Sequence, residues 1–339
     1  MRMSRFCVLM VCAAVVLALA DAGAQTKLAQ TGMKFLGVGT DARPVALGEA
    51  FTAVEGGSTA LFYNPASMAR LEGVTSLGLG LTQWIADINQ YYAGAAFSPW
   101  GGEYGVIGIE FQTVDYGTFE GTIVDPDPNG KGYFDEADIP GLNFKPGAYM
   151  IGIGYARALS DKFAIGGAVK YVSQNLGDTY AASSGETSSN KANVLAFDFG
   201  VLYRTGFKSL NFGMTVRNFA REVRYQQEGF QLPLTFKIGV SMNLFDLTEL
   251  DRDTHGLLLA IDAEHPRDYP EQVRVGAEYL FMNILALRVG FVTPSDEYTM
   301  TYGVGIQPEV ANLGFGLDYA YTPFGVFGDV HRFTFQFSL

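Results

Sequence analysis

The sequence predicts an all-β membrane protein, a 14-stranded antiparallel transmembrane β-barrel with a short helical N-terminal plug. Segments in which apolar and polar residues alternate recur along most of the chain, and helix signals occur only near its N-terminus. The composition agrees, because 41 glycines, 26 phenylalanines and 18 tyrosines accompany only 17% charged residues. Such a composition indicates many strands rather than helices.

The C-terminal stretch 331–339 shows the alternation most clearly. It reads HRFTFQFSL, with a phenylalanine at every second position from Phe333 to Phe337. Because successive side chains of a strand point to opposite faces, this ribbon has one apolar and one polar side. Such an edge is a liability in a soluble protein, whereas in a closed barrel it pairs with the first strand.

Fourteen segments of this kind are predicted between residue 74 and residue 339. Most span about 9–13 residues, a length that suits a strand crossing a membrane at a tilt. Their apolar faces carry essentially no charge, as a lipid-facing surface requires. The predicted strands are 74–84, 88–98, 103–115, 146–157, 162–175, 192–204, 208–218, 233–243, 255–264, 271–281, 284–292, 298–307, 312–322 and 330–339.

The connections between the predicted strands give an independent test. Those after even-numbered strands are short, with 245–254 the one longer exception. Those after odd-numbered strands include the long loops 116–145, 176–191 and 219–232. Outer-membrane barrels have short periplasmic turns and longer extracellular loops. We therefore expect a Gram-negative outer membrane location with both termini on the periplasmic side.

Residues 1–24 are predicted to be a cleaved signal peptide, because two arginines precede an apolar stretch that ends at the small residues 22–24. The two cysteines of the chain, Cys7 and Cys12, lie in this segment. We therefore expect neither a disulfide nor a thiolate metal site in the mature chain. Cleavage would change the net charge from −12 to −13, which argues against nucleic acid as a partner.

Residues 25–71 are predicted to form a plug inside a barrel made by residues 72–339. The alanine-rich stretch 41–54 predicts one short helix. A second is predicted directly after Asn64 and Pro65, a favourable N-cap followed by a favourable first helical residue. Neither helix is long enough to be stable alone in water, so both are expected to pack inside the barrel.

The polar faces of the predicted strands carry acidic and basic residues in equal number. Opposite charges can pair across a confined interior, whereas a strongly selective ion pore would carry an excess of one sign. A plugged barrel is therefore favoured over an open porin. The predicted lumenal charges are Glu110, Lys170, Asp198, Arg217, Lys237, Asp262, Glu264, Arg274, Glu278, Arg288, Asp318 and Arg332.

The loop 125–136, which reads DPDPNGKGYFDE, fits the residue spacing of a calcium-binding loop with Gly130 at its sharp turn. The alternative is an acidic, turn-rich surface loop, because two prolines stiffen it. No other cofactor is predicted. The candidate calcium ligands are Asp125, Asp127, Asn129 and Glu136.

No catalytic residue is predicted. No sequence signature marks a nucleophilic serine that could work with His255, His265 or His331, so enzymatic activity is not expected. Aromatic residues near the predicted strand ends indicate instead a girdle at the membrane interface. These aromatic residues are Trp84, Tyr91, Tyr92, Trp100 and Tyr104.

The N-terminal stretches GTDARPVALGEAFTAV (39–54) and ALFYNPASMARL (60–71) resemble the PorV/PorQ family of outer-membrane barrels, within the wider group similar to the fatty-acid transporter FadL. The similarity continues through residues 155–172 and the C-terminal HRFTFQF. Pro44 and the long acidic loop 116–145 depart from the family. The plug residues that carry the resemblance are Arg43, Gly48, Phe51, Asn64, Pro65 and Ala66.

This resemblance implies a 14-stranded, non-enzymatic barrel with an N-terminal hatch that supports type IX protein secretion through its surface loops. It implies type IX secretion components or cargo as partners. The apolar strand faces predict outer-membrane lipid as a further partner. The alternating aromatic pattern at the C-terminus resembles the signal read by the outer-membrane assembly machinery, which is the third expected partner. The main alternative is a FadL-like channel for hydrophobic small molecules, and a weaker one is a membrane-embedded hydrolase. An apolar pocket beneath the loops and a kinked wall would favour the channel.

Overall fold

The computed structural model describes residues 31–124, 127, 129–137, 141–181, 186–226, 228–248, 250, 254–311 and 313–339. The predicted signal peptide and the first residues of the predicted plug lie outside these ranges. In the part of the chain that is described, no helix has the length and apolar character needed to span a membrane.

Fourteen antiparallel strands form one closed β-barrel, which confirms the predicted fold class. Each strand pairs with its neighbours along the chain, and the first strand also pairs with the last. The strands are β1 (Thr75–Gln83), β2 (Asn89–Phe97), β3 (Val106–Asp115), β4 (Gly147–Ala158), β5 (Phe163–Ala181), β6 (Glu186–Arg204), β7 (Asn211–Ala220), β8 (Thr235–Asn243), β9 (His255–Pro266), β10 (Gln272–Phe281), β11 (Leu285–Thr293), β12 (Met300–Ile306), β13 (Leu313–Pro323) and β14 (Asp329–Ser338).

The C-terminal strand β14 closes the barrel. Phe335 lies opposite Leu79 of β1 on one side and Leu317 of β13 on the other. All three side chains point away from the lumen and are 42%, 54% and 57% exposed, respectively. The apolar face of this strand is therefore part of the outer surface, and its backbone is paired on both edges.

The outer wall is a continuous apolar band. In β11, exposed and buried residues alternate at every position, so that Leu287 and Val289 face outwards while Ala286 and Arg288 face the lumen. Exposed apolar side chains recur in the same way on the other strands. An apolar surface of this extent is costly in water, but it is what the hydrocarbon core of a bilayer requires.

The hairpin of β5 and β6 is longer than predicted. The predicted loop 176–191 is mostly strand, because β5 continues to Ala181 and β6 begins at Glu186, with a register shift between Asn175 and Asp178. The added pairs lie beyond the apolar band, so their sequence lacks the alternation that marks a membrane strand. Backbone hydrogen bonds need no apolar side chains, which is why the prediction was wrong here.

The N-terminal helices are shorter than predicted. Only Ala42–Ala46 is α-helical (α1), since the backbone turns left-handed at Gly48 and Glu49. The second predicted helix is a 3₁₀ helix, Pro65–Arg70, with Asn64 at its N-cap. The other 3₁₀ helices are Lys34–Gly37, Ser58–Phe62, Ile85–Asp87, Pro99–Gly102, Leu244–Leu247 and Gly325–Phe327.

Three short β pairings accompany the fourteen wall strands. Ile123–Val124 pairs with Tyr133–Phe134 within the loop between β3 and β4, and Val223–Arg224 pairs with Gly229–Phe230 after β7. Glu309–Val310 pairs with the first two residues of β13, Leu313 and Gly314. The first two pairings order connections that follow odd-numbered strands.

Tyr92 is not part of an interfacial girdle. It is 4% exposed, and its hydroxyl donates to Thr334 Oγ1 across 3.3 Å inside the barrel. Its neighbour Tyr91 is 45% exposed and faces outwards. Adjacent residues of a strand cannot share a face, so assigning both tyrosines to the outer surface was wrong.

We predict that Phe335→Arg, which places a charge on the lipid face of β14, lowers the free energy of unfolding in lipid vesicles by about 2–4 kcal/mol. The control is Val326→Arg, because Val326 is 95% exposed in the turn Gly325–Phe327. Urea titrations followed by tryptophan fluorescence measure both variants. Equal stability of the two variants would contradict a lipid-facing position for Phe335.

Candidate functional site

Residues 31–71, here called the plug, lie inside the barrel. Leu47, Leu61 and Met68 are completely buried, and the plug packs against the inward-facing side chains of strands around the wall. Side chains alone fill a barrel of about eight strands, and larger barrels enclose further space. In this 14-stranded barrel the plug occupies much of that space.

Glycines on the wall let the plug backbone come close to the strands. A Cβ at Gly276 would lie 2.5 Å from the Leu47 carbonyl oxygen, and one at Gly166 would lie 2.5 Å from the Ala66 nitrogen. A Cβ at Gly290 would overlap the backbone nitrogen of Gly48. A strand glycine often marks such a close approach of another backbone.

The short helix α1 is held by hydrogen bonds at its N-terminus. Asp41 accepts from the Arg43 N–H across 3.0 Å and from the Thr59 hydroxyl across 2.6 Å. The Ala42 N–H donates to Thr334 Oγ1 of β14 across 2.9 Å. Because a helix of this length is not stable alone, these contacts and its burial determine its position.

Glu278 of β10 is the centre of an ion-pair chain between plug and wall. Arg43 donates to both of its carboxylate oxygens, across 2.9 and 2.7 Å. Arg288, which lies opposite Glu278 in the β10–β11 register, donates to Glu278 and to Asp318 of β13. This chain connects the plug to β10, β11 and β13.

Asp262 of β9 binds the plug through one oxygen. Its Oδ2 accepts from the backbone N–H groups of Phe51 and Thr52, each across 3.0 Å, and from the Thr52 hydroxyl across 2.6 Å. On the next strand, the Ser241 hydroxyl donates to the Ala53 carbonyl across 2.8 Å. The stretch of the plug after α1 is thereby hydrogen-bonded to β8 and β9.

Asn64 joins two parts of the plug to the wall. Its Nδ2 donates to the carbonyls of Thr52, across 2.7 Å, and of Val201 in β6, across 3.0 Å. Its Oδ1 accepts from the Ala66 N–H across 3.1 Å, as expected for an N-cap. The predicted cap is present, and the same side chain also contacts the barrel.

A second charge cluster lies at a bulge between β6 and β7. The Lys170 ammonium is 2.6 Å from Asp198 Oδ2 and donates to Asn218 Oδ1 across 3.0 Å. The register shifts between Phe197 and Phe199, and Asn218 has a left-handed backbone that lets its N–H donate to Asp198. Glu110 is buried beside Lys170 across Gly152.

A third cluster surrounds Glu264 of β9. It forms ion pairs with Lys237, at 3.1 Å, and with Arg274. Glu49 of the plug lies 3.9 Å from each of the same two cations. Arg332 donates instead to the Gly39 carbonyl across 2.9 Å. Of the twelve predicted charges, ten lie in the lumen in these three groups, where Arg217 is 3.8 Å from Asp198. Asp262 and Arg332 lie in the lumen outside the groups. The functional importance of all twelve stays a prediction.

A cavity of about 330 Å³ lies above the plug, at the barrel end formed by the loops after odd-numbered strands. Its aromatic side is formed by Trp84, Phe324 and Tyr298. The centroid of the Phe324 ring lies 4.8 Å from that of Trp84 and 4.9 Å from that of Tyr298. Sequence reasoning missed this cavity, and it assigned Trp84 to the membrane interface. The alternation of apolar and polar residues along the strands did not indicate a cavity, because the lining residues come from strand ends, loops and the plug.

The cavity is lined by charges of both signs. Five cationic residues and four carboxylates contribute to its wall, so it is not the apolar pocket that a hydrocarbon channel would need. The cationic residues are Lys34, Arg217, Lys237, Arg274 and Arg332, and the carboxylates are Glu49, Glu264, Asp268 and Glu297.

The predicted calcium loop is only partly described, since Asp125 lies outside the described residues. Asp127 accepts from the Asn129 N–H across 2.9 Å. The N–H groups of Asn143 and Gly141 donate to Glu136 and hold the pKa of its carboxyl below the usual range. Within the described ranges no group of His, Cys, Asp or Glu is arranged to hold a metal ion, and calcium binding stays a prediction.

These features define a class, the outer-membrane β-barrels. Residues 139–337 match the family model of the type IX secretion system membrane protein PorP/SprF. The match covers more than half of the chain, and the protein therefore belongs to the PorP/SprF family. No protein of curated function matches it significantly. The narrower resemblance to PorV/PorQ stays a prediction.

Solved structures share the fold at low sequence identity. The toluene transporter TodX of P. putida has a TM-score of 0.56 and 11% identity, over 88% of this chain and 96% of that chain. The toluene transporter TbuX of Ralstonia pickettii has a TM-score of 0.56 and 13% identity, over 88% and 97%. The monoaromatic hydrocarbon channel CymD has a TM-score of 0.53 and 12% identity, over 88% and 96%. At such identities the similarity extends to the fold alone.

We predict that Glu278→Gln destabilises the protein by about 3–5 kcal/mol, because the buried Arg288 and the partly buried Arg43 both lose their shared carboxylate. Urea titrations of the purified protein measure the loss. The control is Glu222→Gln, which removes an exposed pair with Arg224 and should change stability little. Similar stability of both variants would show that the pairing to Glu278 does not hold the plug.

We predict that Gly290→Ala destabilises the plugged barrel by about 1–3 kcal/mol, because the new methyl group overlaps the backbone of Gly48. Thermal unfolding and limited proteolysis of the plug measure the effect. Gly147→Ala is the matched control, since no atom lies within 4 Å of a Cβ at that position. An unchanged unfolding temperature and protease pattern in Gly290→Ala would argue against the close approach of Gly48.

Proposed function

We propose that this protein is a plugged, non-enzymatic outer-membrane barrel that supports type IX protein secretion through its surface loops, as PorV/PorQ-type proteins do. The observation that carries this proposal is the fixed plug, which is bound by charged and polar side chains of β8, β9, β10 and β14 and by a backbone carbonyl of β6. A lumen filled in this way leaves the loops as the surface that is available to a partner. Membership of a secretion family supports the same role.

The loop between β3 and β4, residues 116–146, is the strongest candidate for a partner-binding surface. Its two ends are held together by a stacked pair, Phe119 and Phe144, with centroids 5.5 Å apart. Within it, Ile123–Val124 pairs with Tyr133–Phe134. A loop with its own hydrogen bonds presents a defined surface and loses less entropy on binding than a disordered one.

The hairpin of β5 and β6 adds a second element at the same end of the barrel. Because it extends past the last pairing of β5 with β4 at Asn175, it projects beyond the wall. Gln226, in the loop after β7, donates to the Ser189 carbonyl of this hairpin across 3.2 Å. The loop end is therefore a connected surface, which we infer faces the cell exterior and secretion components or cargo.

The second candidate is a FadL-like channel for hydrophobic small molecules. The wall bulge at Asp198 and Asn218 favours it, because an interrupted register weakens the wall locally. The charged lining of the cavity disfavours it, since an apolar solute there would remove water from charged groups without replacing their hydrogen bonds. The charged lining makes secretion the better-supported function.

We predict that replacing residues 117–145 with a short turn abolishes export of type IX cargo, while the barrel still assembles in the outer membrane. The measurements are the amount of cargo in the culture medium and co-purification of secretion components. Substituting the turn 159–162 at the opposite barrel end is the control and should leave export intact. Normal export with the shortened loop would overturn the proposal, as would uptake of toluene by vesicles that contain the protein.

A further inference from the structure

Arg332 is a buried cation without a paired carboxylate. It is 2% exposed, and its guanidinium donates to the Gly39 carbonyl and to the Thr322 hydroxyl, across 2.9 and 3.1 Å. It also lies over the Trp84 ring, 5.4 Å from the centroid. In the described ranges no carboxylate oxygen lies within 4 Å of it. A buried charge left without a counter-charge is strongly unfavourable.

Arg217 lies on the wall of the same cavity and is also poorly paired. Its Nε is buried and has no hydrogen-bond partner among the described residues. The nearest carboxylate oxygen, on Asp198, is 3.8 Å away and is already bound by Lys170 at 2.6 Å. The guanidinium lies instead over the Tyr63 ring, 5.6 Å from its centroid. The bulge between β6 and β7 brings this side chain to the cavity.

The other cations of the cavity already have partners. Lys34 pairs with Asp268, and Glu264 pairs with both Lys237 and Arg274. Glu49, the remaining carboxylate on the plug side, lies 3.9 Å from each of the latter two cations. Positive charge that lacks a close partner is thus concentrated at Arg217 and Arg332.

We propose that this cavity binds a small hydrophilic anion, bearing carboxylate or phosphate groups, between Arg217 and Arg332. Guanidinium groups form paired, charge-assisted hydrogen bonds with both kinds of oxyanion. A volume of about 330 Å³ corresponds to roughly ten water molecules, so a dicarboxylate or a phosphate fits with part of its hydration shell. The proposal does not depend on the secretion role.

Gly37 provides a way to test occupancy without changing any charge. It lines the cavity, and no atom lies within 4 Å of a Cβ built on it. Its backbone is not left-handed, so a larger side chain is tolerated there. The variant Gly37→Phe therefore places a phenyl ring in the cavity and leaves both arginines in place.

The test is isothermal titration of the purified protein in detergent micelles with succinate and, separately, with inorganic phosphate, at constant ionic strength in sodium chloride. We expect the wild type to bind at least one of the two probes. Arg217→Gln and Arg332→Gln each weaken binding by about tenfold or more, as loss of a charge-assisted hydrogen bond does. Gly37→Phe abolishes binding.

The matched control is Arg204→Gln, because Arg204 pairs with Glu55 at the opposite barrel end and does not line the cavity. Its affinity should equal that of the wild type. If Arg332→Gln does not fold, Arg217→Gln and Gly37→Phe decide the question. Absence of binding of both probes to the folded wild type would overturn the proposal, and so would binding that Gly37→Phe leaves unchanged.

Discussion

The carboxylate of Glu278, held between Arg43 of the plug and Arg288 of the wall, illustrates the constraint on which the structure depends. A barrel of fourteen strands encloses more space than its own side chains fill, and the space must be occupied without leaving buried charges unpaired. Buried ion pairs add little net stability over apolar packing, but a pair that loses one member is strongly destabilised. Such pairs therefore define one position for the plug.

The wall and the plug constrain each other's sequence. Outward positions are determined by lipid and are apolar, whereas inward positions are determined by the plug and are small, polar or charged. Gly166 and Gly276 are needed where the plug backbone touches the wall. Asp262 is needed where backbone N–H groups of the plug point at the wall. The alternation along each strand thus reflects two different environments, a bilayer outside and a polypeptide inside.

Alternation made the fold predictable from sequence, because lipid contact imposes it on all fourteen strands. It also predicted which charges face the lumen, but not which of them pair. Arg332 and Gly39, for example, are separated by 293 positions, and no local pattern relates them. The extended hairpin was missed because its residues lie outside the apolar band. Tyr92 was assigned to the membrane interface because aromatic side chains are common there. The alternation along β2 instead places Tyr92 inside the barrel, since its neighbour Tyr91 faces outwards.

The cavity was beyond sequence reasoning for the same physical reason as the ion pairs. Arg217 reaches the cavity through a bulge, at which Arg217 and Asn218 together lie opposite Asp198. A bulge interrupts the alternation of inward and outward side chains, so the face on which a residue lies can no longer be inferred from its position along the strand. The other lining residues belong to loops and to the plug, whose positions follow from tertiary contacts. Residue types alone could not separate Arg332 from the paired arginines of the lumen.

The distribution of plug contacts also bears on whether the lumen can open. The plug is held at Arg43, Thr52 and Asn64, which bind β10, β9 and β6, respectively. Moving the plug as a body must break these contacts together, and removing one partner of a single buried ion pair costs about 3–5 kcal/mol. An open state is then populated far too rarely to conduct at equilibrium, unless a partner binds that state more tightly. Conduction would require such a partner, whereas binding at the loop end requires no change in the barrel.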